Sequence, residues 1–124
     1  EAVRRAVPAR GVAATLARVF QAFRIRVNRE LEEIDAGLRA TATVLARGGR
    51  IVAISYHSLE DRAVKSFFRR ESRDCVCPED APACTCGHHA WLRVLTRRPE
   101  VPDPEEIGRN RRARSAKLRI AEKV

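Results

Sequence analysis

Gly48-Gly49-Arg50-Ile51-Val52-Ala53-Ile54-Ser55-Tyr56-His57-Ser58-Leu59-Glu60-Asp61-Arg62-Ala63-Val64 is the stretch that sets the fold class. The glycine pair closes whatever precedes it, because glycine readily takes the left-handed conformation that ends a helix. Residues 51–55 are a short, nearly continuous apolar run, the pattern of a strand buried on both faces in a parallel sheet. Ser58, with Asp61 three residues on, predicts an N-cap and capping box, and Val64, Phe67 and Phe68 supply that helix's buried face. Upstream, from Thr15 as a candidate N-cap, apolar residues recur at Leu16, Val19, Phe20, Phe23, Val27, Leu31, Ile34, Leu38 and Leu45. That period keeps one helical face oily for about eight turns, read as two helices meeting near Asn28. Helix, strand, helix predicts an α/β sheet with a right-handed crossover.

The flanks are less regular. Residues 1–14 contain Pro8 and Gly11 without a clear apolar period, so a loop or the end of a helical region is expected. Residues 72–90 are rich in cysteine, proline and glycine and predict a loop. Residues 91–97 and 116–121 alternate as strands do, with Pro99, Pro102 and Pro104 breaking the chain between them.

A length of 124 residues is room for one small domain or part of one. No apolar run approaches the roughly 20 residues that span a bilayer, so no membrane partner is expected. The sequence begins at Glu1 and contains no methionine, which is read as a start inside a longer protein. A formal charge of +9 favours a polyanionic partner, RNA or DNA, over an acidic small molecule. Of the 25 basic residues only Lys65, Lys117 and Lys123 are lysine. Arginine forks suit phosphate, although a GC-rich genome produces the same bias.

Three constellations could carry chemistry. Residues 56–62 sit where a strand turns into a helix, at the carboxyl end of the sheet where open α/β folds bind ligands. His57 could move protons there, and Tyr56 and Ser58 could hydrogen-bond a base edge; the bland reading is a helix cap flanked by exposed charges. Arg109, Arg111, Arg112, Arg114 and Lys117 place five positive charges before the last strand, enough for several phosphates, or merely a solvated basic loop. Cys75, Cys77, Cys84 and Cys86 can surround one tetrahedral ion, which zinc prefers, with disulfides or free thiols as alternatives and His88 and His89 as spare ligands. Four thiolates would leave no open position, so any zinc would be structural. Their clustering is unlike the spread-out framework of a secreted domain and fits a reducing cytoplasm.

The segment Phe20-Gln21-Ala22-Phe23-Arg24-Ile25-Arg26-Val27-Asn28-Arg29-Glu30-Leu31 resembles a characteristic stretch of the 16S ribosomal RNA cytosine-N(4) methyltransferases, the RsmH family, formerly MraW. The resemblance continues in order through Gly48-Gly49-Arg50, the SYHSLEDR segment at 55–62, Val64-Lys65, Leu95-Thr96-Arg97 and the ARSAKLRIAEK segment at 113–123. Ala14-Thr15-Leu16-Ala17-Arg18 and Asn110-Arg111-Arg112 depart from the family's His-Pro-Ala-Thr-Arg and Asn-Pro-Arg.

The resemblance implies the C-terminal portion of a class I, Rossmann-like, S-adenosylmethionine-dependent fold. One parallel strand is expected at 51–55, with the last two strands as an antiparallel edge pair. Residues 1–28 would end a helical insertion domain, and 29–124 would be the C-terminal part of the methyltransferase domain, with the cysteine-rich loop at 72–90. It implies methyl transfer from S-adenosylmethionine to a cytidine N(4) amine of 16S rRNA in the small ribosomal subunit. Tyr56, His57 and Ser58 would position the base, Asp61 and Arg62 would shape that pocket, and Arg24, Asn28, Arg112, Arg114 and Lys117 would contact RNA. No G-x-G-x-x-G-like turn occurs in the sequence, so the cofactor site is assigned to an N-terminal half of the same protein, and this chain alone is expected to be inactive. Homodimerisation is left open. The alternative function is a non-catalytic RNA-binding module with a zinc-stapled loop.

Overall fold

The computed structural model describes residues 5, 6 and 11–124. Most of the loop expected over 1–14 lies outside the described residues, and from Val12 the chain is helical. Chain contacts divide it into two compact units, Glu1–Glu33 and Ile34–Val124.

In the first unit, helix α1 (Val12–Asn28) starts after Gly11, which makes no side-chain cap. Thr15 therefore lies inside the first turn and is not the N-cap expected of it. The helix stops where expected, because Arg29 takes a left-handed φ of 53°, and the next helix, α2 (Glu30–Val44), follows at once, with its first turn in this unit and the rest in the second. Acidic Glu30, Glu32 and Glu33 in its first turn suit the positive end of the helix dipole. Ile25 is buried in α1, whereas Phe20, Phe23 and Val27 are exposed.

In the second unit, strands β1 (Arg50–Ser55), β2 (Leu92–Val94) and β3 (Lys117–Lys123) form one sheet in the order β1-β3-β2. The edge pair of β2 and β3 is antiparallel as expected, and β1 also pairs antiparallel with β3. β1 and β2 thus run parallel to each other on either side of β3, with α3 (Ser58–Glu71) between them in the chain. Gly48, at φ 78°, makes the tight turn into β1, and its N–H donates to the Lys123 carbonyl at 2.8 Å. The Lys123 ammonium donates to the carbonyls of Ala42 and Leu45, both at 2.7 Å, satisfying acceptors at the end of α2.

Phe68, buried to 2% exposure, is the centre of a core formed with Leu38, Ile51, Val64, Phe67, Leu92 and Ala121. Ala121 lies opposite both Ile51 and Val94 in the middle strand. Its small side chain leaves room for the aromatic ring above it.

β1 is not buried on both faces. Ile51 and Ser55 are buried, but Val52 and Ile54 are each 56% exposed. Among the described residues α3 covers one face of the sheet, so the apolar alternates on the other face remain open. Residues 103–115 are more than a proline-broken connection: they contain α4 (Pro104–Arg109) and a 3-10 helix (Arg111–Ser115). Asp103 caps α4 by accepting from Glu106 N at 2.7 Å, with Pro104 at a favourable first position. Among the described residues no helix is long and apolar enough to cross a membrane.

Candidate functional site

The turn after β1 is closed by His57. Its Nδ1 accepts from Glu60 N at 3.3 Å, while Glu60 Oε2 accepts from Tyr56 N at 2.8 Å and His57 N at 3.2 Å. This is a capping box shifted one residue from the Ser58–Asp61 box the sequence suggested. With Nδ1 accepting, a neutral ring carries its proton on Nε2, which faces Glu60 Oε1 at 3.0 Å. Ser58 is then the first helical residue and exposed, Tyr56 is 57% exposed, and Arg62 is exposed on the first turn.

The shift releases Asp61 to point inward. Arg119 Nε donates to Asp61 Oδ1 at 2.7 Å and its terminal nitrogen to Oδ2 at 3.2 Å, a two-pronged buried pair. Lys117 Nζ stands 3.7 Å from Oδ2. The Arg119 hydrogen bonds hold the Asp61 carboxyl below its usual range against the opposing effect of burial, helped by the charges of Arg119 and Lys117. No local signal in the sequence points to Arg119, because its partner is 58 residues away. Glu60 was legible as the third residue after His57, had histidine been weighed as a cap.

Register brings the basic segment to the same place. Ser55, the last residue of β1, is opposite Lys117, the first of β3, so residues 111–115 enter β3 at the carboxyl end of β1, the end from which Tyr56 and His57 leave. Asn110 caps the 3-10 helix by accepting from Arg112 N at 3.1 Å, and buried Ala113 anchors it. Arg111, Arg112 and Arg114 are exposed and no ion pair is found for them among the described residues, whereas Arg109 pairs with Glu105 and Lys117 faces Asp61. In the first unit Arg24 Nε donates to Glu30 Oε1 at 2.8 Å, and Asn28 Nδ2 donates to the same oxygen at 3.3 Å. These two candidate RNA contacts are thus held to one carboxylate.

The whole length of the chain, residues 1–124, matches the model of the MraW methylase family. The chain belongs to that family. It is 56% identical over 126 residues to the ribosomal RNA small subunit methyltransferase H of Carboxydothermus hydrogenoformans, covering 100% of this chain and 40% of that protein. The protein of the same name from Thermomicrobium roseum is 58% identical over 107 residues, covering 86% of this chain and 33% of the relative. That of Dehalococcoides mccartyi is 49% identical over 124 residues, covering 99% and 36%. The chain therefore spans two fifths or less of the length of these curated relatives.

The cap assignment has a direct test in stability. His57→Ala is expected to cost about 1 kcal/mol, the usual worth of an N-cap, and Ser58→Ala close to nothing. Urea unfolding of the two variants checks this, and a larger loss for Ser58→Ala would reverse the assignment.

Proposed function

We propose that this member of the MraW methylase family supplies the C-terminal part of an S-adenosylmethionine-dependent methyltransferase. Its substrate is the N(4) amine of a cytidine in 16S rRNA of the small ribosomal subunit. The observation that carries the reading is the register of β1 with β3, which brings the Tyr56–Ser58 turn and the arginine-bearing 3-10 helix to the same end of the sheet. That end of a sheet is where α/β folds place ligands. The order β1-β3-β2, with β3 antiparallel between two strands of like direction, supports a class I, Rossmann-like sheet; the helix break at Arg29 supports a division at 28/29 into insertion and methyltransferase parts, although the compact units part at 33/34.

S-adenosylmethionine would supply the electrophilic methyl group. The described residues do not form its pocket. The sequence has no glycine-rich strand turn of the kind that cradles such a cofactor. The cofactor site is assigned to the part of the protein outside this chain. What this chain's residues do is hold the nucleotide. The cytosine amine is a weak nucleophile because its lone pair is delocalised into the ring, so it must be oriented. Exposed Tyr56 and Ser58 offer hydroxyls to a base taken out of its stack, and Arg62 stands beside them. His57 acts by fixing the turn with Glu60, and Asp61 by fixing it to β3 through Arg119. Arg112, Arg114 and Lys117, with Arg24 and Asn28 from the first unit, contact RNA. The chain alone carries no methyl transfer. Four thiolates leave no open coordination position, so the cysteine cluster has no part in the chemistry.

The experiment is transfer of labelled methyl from S-adenosylmethionine by the full-length protein to small subunits from cells lacking the enzyme. Label in N(4)-methylcytidine after nuclease digestion is expected, and Ser58→Ala should lower turnover about tenfold, the worth of one hydrogen bond to the transition state. RNA binding without any labelled cytidine would replace the enzyme reading with that of an RNA-binding module.

A further inference from the structure

The loop between α3 and β2 carries Cys75, Cys77, Cys84 and Cys86 on a stretch with no helix or strand of its own. Its base is fastened by protein contacts. Trp91 Nε1 donates to Glu71 Oε2 at 2.7 Å, Trp91 N to the Glu71 carbonyl at 3.0 Å, and Ala90 N to Asp74 Oδ1 at 3.2 Å. Among the described residues nothing comparable holds the tip, where Val76 is exposed and three of the four cysteines are exposed too. A long polar loop without an apolar anchor needs another constraint to stay ordered.

The four sulfurs nevertheless converge, all within 4.8 Å of one another. Cys84 Sγ and Cys86 Sγ are 3.6 Å apart, and Cys86 Sγ and Cys75 Sγ 3.9 Å. A zinc–sulfur bond of about 2.3 Å in a tetrahedron sets its edges at about 3.8 Å, whereas a disulfide needs about 2.05 Å. The measured separations are those of a coordination polyhedron. A backbone donor also faces the sulfurs: Cys77 N donates to Cys75 Sγ at 3.4 Å. Gly87, at φ 59°, makes the turn that follows Cys86. N–H donors stabilise thiolate charge, as outer partners of metal ligands do.

Charge agrees. Four thiolates around a dication leave a net double negative charge, and Arg69 and Arg73 line a cavity together with Val76, the residue between the first two cysteines. His88 is not a fifth candidate, because its Nε2 turns toward the stem, 3.7 Å from Glu71 Oε2.

We propose that Cys75, Cys77, Cys84 and Cys86 bind one zinc ion as a closed tetrathiolate, a structural site that fastens the tip of this loop independently of the reaction the protein performs. The full-length protein, purified without chelator under reducing conditions, should contain one zinc per chain by elemental analysis. Cobalt substitution should give the intense visible absorption of tetrahedral cobalt thiolate. Cys84→Ser combined with Cys86→Ser should lose the zinc and open residues 72–90 to protease. If that variant fails to fold, the cobalt spectrum of the unaltered protein still decides. Metal-free protein with four freely titrating thiols, two disulfides in its peptide map, or iron in place of zinc would each overturn the proposal.

Discussion

Asp61→Ala is expected to destabilise the protein by about 3–5 kcal/mol, because it leaves the Arg119 guanidinium buried without a counter-charge. The Arg119 side chain is 7% exposed and that of Asp61 12%, so water cannot replace the missing partner. The pair also joins the first turn of α3 to the middle strand, so its loss loosens the turn bearing Tyr56 and Ser58 from the sheet. Replacing both residues by apolar side chains of similar size should cost far less than the single change, since no charge is then stranded. The acid limb supplies a second reading. Asp61 is held below its unfolded value by Arg119, so its contribution is present above the unfolded carboxylate pKa of about 3.9 and is lost as pH falls through the lower folded value. Urea unfolding from neutral pH downward should therefore show the gap between the unaltered protein and Asp61→Asn closing only in that acid window. A gap that is small at neutral pH, or constant into acid, would show that the pair contributes little.

The sheet's own pattern explains why this pair could not be read in advance. Alternation in 117–121 assigns Leu118 and Ile120 to the interior on hydropathy alone, yet Arg119 and Ala121 are the buried residues. Phe68 needs a small residue beneath it, and Asp61 needs a cation, and both requirements come from a helix more than 50 residues earlier in the chain. Local signals fared better. The break near Asn28, the Gly48 turn and the bounds of β1 are set by backbone freedom and short-range period and lie where the sequence puts them, whereas the antiparallel pairing of the final strands follows from the family resemblance. The cap was placed one residue late because serine is the commoner cap and histidine at N-cap gives little warning. In α4 the signal is Asp103-Pro104-Glu105-Glu106, because proline breaks a helix interior but starts a helix when it stands at the first helical position. Cysteine spacing suggests a metal, but only folding brings all four sulfurs within 4.8 Å of one another.

Removing Arg111, Arg112 and Arg114 together is expected to weaken binding of small-subunit RNA roughly ten- to a hundredfold and to lower the slope of log affinity against log salt by about two units, at about 0.7 for each phosphate that is no longer neutralised. The three side chains are singled out by what they lack. Arg109 spends its charge on Glu105 and Lys117 faces Asp61, while these three are exposed, without an ion pair found among the described residues, on a helix pinned by Asn110 and buried Ala113. A pre-formed scaffold lets each guanidinium meet phosphate with less ordering cost than on a loose loop. The matched control is Arg39→Ala with Arg47→Ala. Arg39 is already held by Asp35 at 2.6 Å, and Arg47 is exposed in the turn before β1, at the opposite end of that strand from Ser55. That pair should leave the affinity within a factor of about three, since only diffuse charge is removed. Filter binding over a salt series gives both quantities for each variant. If the triple variant kept its affinity and its slope, the 3-10 helix would be a solvated basic turn and the RNA contacts would have to be sought on α1.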